Sequence, residues 1–255
     1  MKLKDFQLLA EGNLLALKQN PYPGRGLIIG MDESGQYLVQ VYWIMGRSEN
    51  SRNRIFIVDK NGILKTAPAD PAKVKDPSLI IYTAMDETFG RYAVSNGNQT
   101  MDALSAGGLH YSMTEWQYEP DSPNFTPRIT ALIKPKSLSA EISLLKKSPF
   151  SDDCERYLYE LPITIPGLGH CVTTYSGDGD PLPSFAGDPY LLPLVGNKEK
   201  IARAIWNSLN EENKVSLAVK FISVQKKKTT NRFFNFFDIK ERETSITVIN
   251  KYKTV

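Results

Sequence analysis

The residues best suited to chemistry stand in four polar clusters along a chain of 255 residues. The first, GRSENSRNR at 46–54, sets Arg47, Arg52 and Arg54 among Ser48, Asn50, Ser51 and Asn53, directly after a hydrophobic run. A guanidinium is a planar fork of donors that matches phosphate oxygens, and hydroxyl and amide groups complete such a shell. The second cluster, SNGNQTMD at 95–102, lies between a strand-like and a helix-like segment. There Asn96-Gly97 can expose backbone N–H groups, and Asn98 or Thr100 can cap the following helix, which makes a polar-ligand site. The third, YEPDSPNFTPR at 118–128, brings Glu119, Asp121, Asn124, Thr126 and Arg128 to the mouth of an apolar strand. The fourth, TTYSGDGDPLPSFAGDP at 173–189, is a loop dense in Gly, Pro and Asp, of the kind that closes over a ligand.

Several familiar signatures are absent from the sequence. There is no G-x-x-x-x-G-K-[ST] phosphate loop and no G-x-S-x-G nucleophile elbow. His170 and Cys171 are adjacent, so on a strand they face opposite ways, one to the core and one outward, which makes a poor Cys–His pair. Two histidines are too few for most zinc sites. The acidic run SGDGD at 176–180 lacks the downstream bidentate glutamate of a calcium loop. No metal site is expected, and the two cysteines allow at most one disulfide.

The elements that must position these clusters are mostly strands. GLIIG (26–30) and QYLVQVYWIM (36–45) read as one hairpin, and RIFIV (54–58) and ILKT (63–66), joined across Asn61-Gly62, as another. LIIYTAM (79–85), RYAVS (91–95), PRITALI (127–133), VSLAVKFISV (215–224), RFFNFFDI (232–239) and TSITVI (244–249) supply further strands. Helices are expected over 5–18, despite Gly12, over 99–108, and after Asn197, where Ile201, Ala204, Ile205 and Leu209 share one face. No repeat and no long linker divides the chain, so residues 1–255 are expected to form a single α+β domain dominated by antiparallel strands.

Composition bounds the partners. Hydrophobic residues at 41% and charged residues at 23% argue against wholesale disorder. A net charge of +3 does not demand nucleic acid, although residues 214–255 hold ten Lys or Arg against three Asp or Glu. Lys226, Lys227 and Lys228 read as a solvated hairpin loop. Phe233, Phe234, Phe236 and Phe237 fit core plus a subunit interface better than base stacking, which favours a homo-oligomer. No apolar run approaches the roughly 18–20 residues of a membrane span, and no clean signal-peptide core opens the chain, so a cytoplasmic location is expected.

YPGRGLIIG, YWIMGRSENSRNR, IIYTAM, AVSNGNQTMDAL and NFTPRITALI, in that order, resemble the archaeal-type IMP cyclohydrolases and their bacterial relatives. The resemblance covers roughly residues 22–135, and the 173–189 loop more loosely. It implies a four-layer αββα sandwich of two mainly antiparallel sheets, like that of the N-terminal-nucleophile hydrolases. It also implies closure of 5-formamidoimidazole-4-carboxamide ribonucleotide (FAICAR) to inosine monophosphate (IMP) with loss of water, the last step of purine synthesis, with no metal or organic cofactor. Tyr82, Glu119 and Arg47 match the family's Tyr, Glu and Arg positions. The roles expected of them are proton relay or donation to the formyl oxygen, general base or amide orientation, and stabilisation of negative charge. Arg25, Ser48, Asn53, Arg54, Asn96, Gly97, Asn98, Thr126 and Arg128 are the expected substrate contacts.

The inventory suits that reaction. A weakly acidic amide N–H must be deprotonated, an oxyanion held and a hydroxyl protonated, none of which requires histidine or a covalent intermediate. Because the attack is intramolecular, holding a near-attack rotamer supplies much of the acceleration. This sequence departs from the archaeal pattern at Trp43, where arginine is common, at Gln99, near a histidine, and in an Arg47–Arg54 loop about two residues longer. Two alternatives follow: a nucleotide-binding protein that has lost the reaction, and an amide hydrolase of the same fold. Met1-Lys2 offers the latter no nucleophile unless a pro-segment is removed.

Overall fold

The computed structural model describes residues 2–74, 77, 80–226 and 242–252. In chain order the elements are α1 (Leu3–Gln19), β1 (Gly26–Met31), β2 (Tyr37–Met45), α2 (Glu49–Arg52), β3 (Ile55–Val58), β4 (Leu64–Ala67), β5 (Thr83–Thr88) and β6 (Arg91–Ser95). There follow α3 (Thr100–Ala103), α4 (Gly108–Ser112), β7 (Arg128–Lys134), β8 (Ser139–Lys147), β9 (Cys154–Pro162) and β10 (Leu168–Thr173). The chain continues through β11 (Tyr190–Pro193), α5 (Lys198–Trp206), β12 (Lys214–Lys226) and β13 (Arg242–Asn250). The strands form two sheets, ordered β11-β10-β1-β2-β12-β13 and β3-β4-β5-β6-β7-β8-β9, with every neighbouring pair antiparallel.

Period-two alternation decides how the sheets stack. In β2, Leu38, Tyr42 and Ile44 enter a core shared with Ile129, Ala131 and Ile133 of β7 in the other sheet. The intervening Val39, Val41, Trp43 and Met45 face the opposite side, where Leu17 of α1 and Ile201, Ala202 and Ile205 of α5 cover them. On the far face of the second sheet, Ala103 of α3 and Leu109 of α4 pack on Ala93, Leu132 and Leu145. The layers therefore run helices, sheet, sheet, helices. Each fully buried Leu, Ile or Val contributes about 1.5–3 kcal/mol, so the central core and the two helix-covered outer ones all add to the hydrophobic gain. No helix among the described residues is long and apolar enough to cross a membrane.

Polar ties also span the two sheets. Gln40 of β2 donates from Nε2 to the Tyr92 carbonyl at 3.0 Å. Lys220 of β12, fully buried, reaches Glu87 Oε2 at 2.5 Å and lies over the Tyr92 ring.

Some elements differ from their sequence expectation. Of the segment read as one helix over 99–108, only Thr100–Ala103 is helical; turns follow, and a separate short helix, α4, starts at Gly108, whose φ is +70°. The strand expected at 79–85 begins at Thr83, since the Pro77 carbonyl accepts from both Ile80 N (3.1 Å) and Ile81 N (2.9 Å) and winds that stretch into a turn. The run RFFNFFDI and the lysines at 227 and 228 lie outside the described residues. His170 and Cys171 sit in β10 as alternation requires, with Cys171 fully buried in the outer core and its thiol pushed up to about 12 by burial.

Candidate active site

Antiparallel pairing gathers the polar clusters at one end of the sandwich. Arg25 precedes β1, Arg47 follows β2 and Tyr175 follows β10 in the first sheet. Arg54 precedes β3, Tyr82 precedes β5, Asn96 follows β6, and the segment holding Glu119 and Thr126 precedes β7 in the second. Between them lies a cavity of about 270 Å³, lined by Arg25, Arg47, Ser48, Arg54, Asp121, Thr126 and Tyr175 among others.

The centre of the site is a fork. Arg25 donates from Nη1 to Glu119 Oε1 at 2.5 Å and from Nη2 to Oε2 at 3.0 Å, and a further Nη1 bond reaches the Asn96 carbonyl at 2.9 Å. Glu119, only 3% exposed, and the Tyr82 hydroxyl nearby hold the Arg25 proton far more firmly than usual, even though burial alone works the other way. Arg128 stands on the far side of Glu119, at 3.9 Å, with its guanidinium over the Trp116 ring and Nη1 donating to Gln99 Oε1 at 3.1 Å. The Tyr82 hydroxyl meets that of Tyr42 at 2.6 Å, and burial keeps the Tyr42 phenol protonated well beyond its ordinary range.

Arg54 is the outlier. It is 6% exposed, yet its Nε and Nη1 have no hydrogen-bond partner. Burial and the charge of Arg25 lower its proton affinity. A buried guanidinium with orphaned donors is costly unless something negative meets it, and this one lines the cavity.

Two linked hydroxyls also belong to the lining. Thr126 Oγ1 lies 2.5 Å from both Asp121 Oδ2 and the Tyr175 hydroxyl, and Thr126 N donates to Asp121 Oδ1 at 2.6 Å. Burial raises Asp121 above the usual carboxylate range. Tyr175 in turn packs on Tyr22 with ring centroids 6.0 Å apart and closes over Gly24, whose φ of +71° and lack of a side chain permit that approach.

Arg25, Arg54, Tyr82, Asn96, Glu119, Thr126 and Arg128 thus share one connected site, with Gly97 lying against the Arg128 guanidinium. Arg47 and Ser48 stand at its rim, where Arg47 crosses to Asp178 Oδ1 (2.6 Å) and the Gly179 carbonyl (2.9 Å) of the 173–189 loop. Ser48 caps α2 through Ser51 N. Asn53 is engaged elsewhere, its amide clasping the Asp70 backbone in both directions, and Asn98 is exposed. Trp43 faces the outer core rather than the cavity, whereas Gln99 bridges the Arg128 guanidinium and Asn96 Oδ1. Sequence reasoning did not single out Tyr22, Tyr42 or Tyr175. Tyr175 lies inside a flagged loop, and Tyr22 adjoins the PGRG turn, but a tyrosine carries no spacing signal of its own. Among the described residues no group of three His, Cys, Asp or Glu is placed to hold a metal ion.

No curated protein matches the chain. The family model described as IMP cyclohydrolase-like protein matches residues 22–228, from the turn before Arg25 through β12. That span contains every residue of the cavity wall, and the chain belongs to the IMP cyclohydrolase-like family.

Proposed function

We propose that the protein closes FAICAR to IMP with loss of water. The observation that carries this reading is Arg54, a buried cation whose Nε and Nη1 lack partners, lining the same cavity as Arg25, whose guanidinium Glu119 holds from behind in an ion pair. Arg54 binds the substrate's negative charge, aided at the rim by Ser48 and Arg47. Arg25, fixed by Glu119 and the Asn96 carbonyl, is preorganised to stabilise the oxyanion that develops when the carboxamide nitrogen adds to the formyl carbon. Tyr82, supported by Tyr42, donates to that oxygen. Glu119 orients Arg25 and the attacking amide, and Arg128 closes the polar wall beside it. Acceleration comes chiefly from holding the two side arms of one molecule in contact, together with fixed donors at the developing charge.

Purified protein given FAICAR should produce the ultraviolet change of purine ring closure. IMP binding with no turnover would instead support the binding-protein alternative. Absence of both would remove the reading altogether.

A further inference from the structure

We infer that Tyr175, Thr126 and Asp121 form a proton relay that serves the ring closure, with Tyr175 as its donor end; this rests on the FAICAR reading. All three residues line the cavity, and the two oxygen–oxygen distances along the chain are both 2.5 Å. An ionised carboxylate only accepts, so the single Thr126 proton points to Asp121 Oδ2 and Tyr175 must donate to Thr126. The chain is therefore polarised from Tyr175 toward the carboxylate.

Other groups at the site are worse placed for this task. Both oxygens of Glu119 face the Arg25 guanidinium, which does not release a proton. Tyr82 ends on Tyr42, a phenol that burial keeps protonated. Among the described residues lining the cavity, the Tyr175 chain joins a hydroxyl through a second hydroxyl to a carboxylate. Burial also favours the protonated form of Asp121, so the terminus can store the proton it receives.

The step balances without a co-reactant. The amide nitrogen forms the new N–C bond while the formyl C=O pair moves to oxygen. An amide proton passes to the Tyr175 oxygen as the Tyr175 proton moves to Thr126 and the Thr126 proton to Asp121. Return along the same chain protonates the oxygen to a hydroxyl. The formamido N–H proton follows in a second passage, the C–O bond breaks, the nitrogen pair forms C=N, and water departs. Asp121 ends each cycle as a carboxylate.

The groups facing Asp121 are Glu119, which raises its proton affinity, Arg25, which lowers it, Arg128 across the site, and the Thr126 and Tyr175 hydroxyls. The test compares Thr126→Val, Thr126→Ser, Tyr175→Phe and Asp121→Asn in steady-state FAICAR kinetics across pH, with IMP affinity measured by calorimetry. Thr126→Val and Tyr175→Phe should lower kcat about 10²-fold with KM and IMP affinity nearly unchanged, and Thr126→Ser should restore most of the rate. Asp121→Asn should abolish the acidic limb of the kcat profile, which falls in the wild type as Asp121 takes up a proton. Wild-type kcat in Thr126→Val overturns the relay while leaving the cyclohydrolase reading intact. Parallel loss of kcat, KM and IMP affinity without rescue by serine also overturns it, by showing a purely structural role. A wild-type protein that binds IMP but never turns over FAICAR refutes the enzymatic reading, and the relay falls with it.

Discussion

Trp43 donates its indole N–H to the Gly24 carbonyl at 3.0 Å, and its ring lies where a side chain on Gly26 would stand. Arg25 is thereby held between two glycines, each covered by an aromatic ring: Tyr175 over Gly24 and Trp43 over Gly26. Trp43 thereby fixes the backbone carrying the central guanidinium without lining the cavity.

Trp43→Phe should keep most of the packing but leave the buried Gly24 carbonyl without its donor. The expected cost is about 1–3 kcal/mol in urea denaturation. FAICAR turnover should fall with it as Arg25 loses its fixed position.

Arg54→Met separates stability from function. It removes an unpartnered buried charge that stands against Arg25, so the free protein should melt no lower than the wild type, or higher. IMP affinity, read by calorimetry, should drop at least about tenfold for each 1.4 kcal/mol of charge-assisted bonding lost.

Lys220 and Glu87 tie the two sheets in the interior. Lys220→Met alone leaves a carboxylate facing the core and should cost about 3–5 kcal/mol in chemical denaturation. Pairing it with Glu87→Leu should recover much of that loss, since the hydrophobic replacement removes both charges together.

Arg47 and Asp178 form a rim contact with side chains 37% and 47% exposed, so the pair contributes little to stability. Asp178→Asn should leave the melting temperature nearly unchanged. It should lower KM for the nucleotide by freeing Arg47, and most clearly at low salt, where charge is least screened.

Alkaline pH should destabilise the fold. Burial raises Cys171 to about 12 from 9.0, and it raises the Tyr42, Tyr175 and Tyr190 phenols above 10.0. A raised folded-state value means that the neutral form is favoured by folding. The contribution is therefore complete below the unfolded values and is lost as pH climbs through the folded ones. Denaturation midpoints measured at pH 8 and above pH 10 should show the fall, and Cys171→Ala should reduce it.

Much of the scaffold is legible where local chemistry and burial agree. Strands β1, β2, β6 and β7, the β3–β4 hairpin across Gly62 and the Asn197 cap of α5 lie close to where alternation, turn residues and capping place them. Strands β8 to β11 carry no comparable signal. In β9 exposed Arg156, Tyr157 and Leu158 follow one another on a sheet edge, so no apolar alternation marks it. The four polar clusters reach one end of the sandwich because antiparallel pairing returns their strand ends there. The sequence does not reveal that Arg54 is left unpaired, that Asn53 clasps Asp70, or that Thr126 joins Asp121 to Tyr175. Those are long-range pairings, decided only when both sheets are assembled.

The wall of the cavity is divided between the sheets, with Arg25 and Tyr175 on one and Arg54 and Thr126 on the other. A molecule lodged there grips both halves, so its affinity doubles as adhesion along the seam. At a hundred times its dissociation constant that adhesion is about 2.7 kcal/mol, comparable to a well-packed leucine in the core. The occupied protein and the empty one therefore differ in how readily the two sheets part, and an abundant ligand would protect the fold as well as fill it.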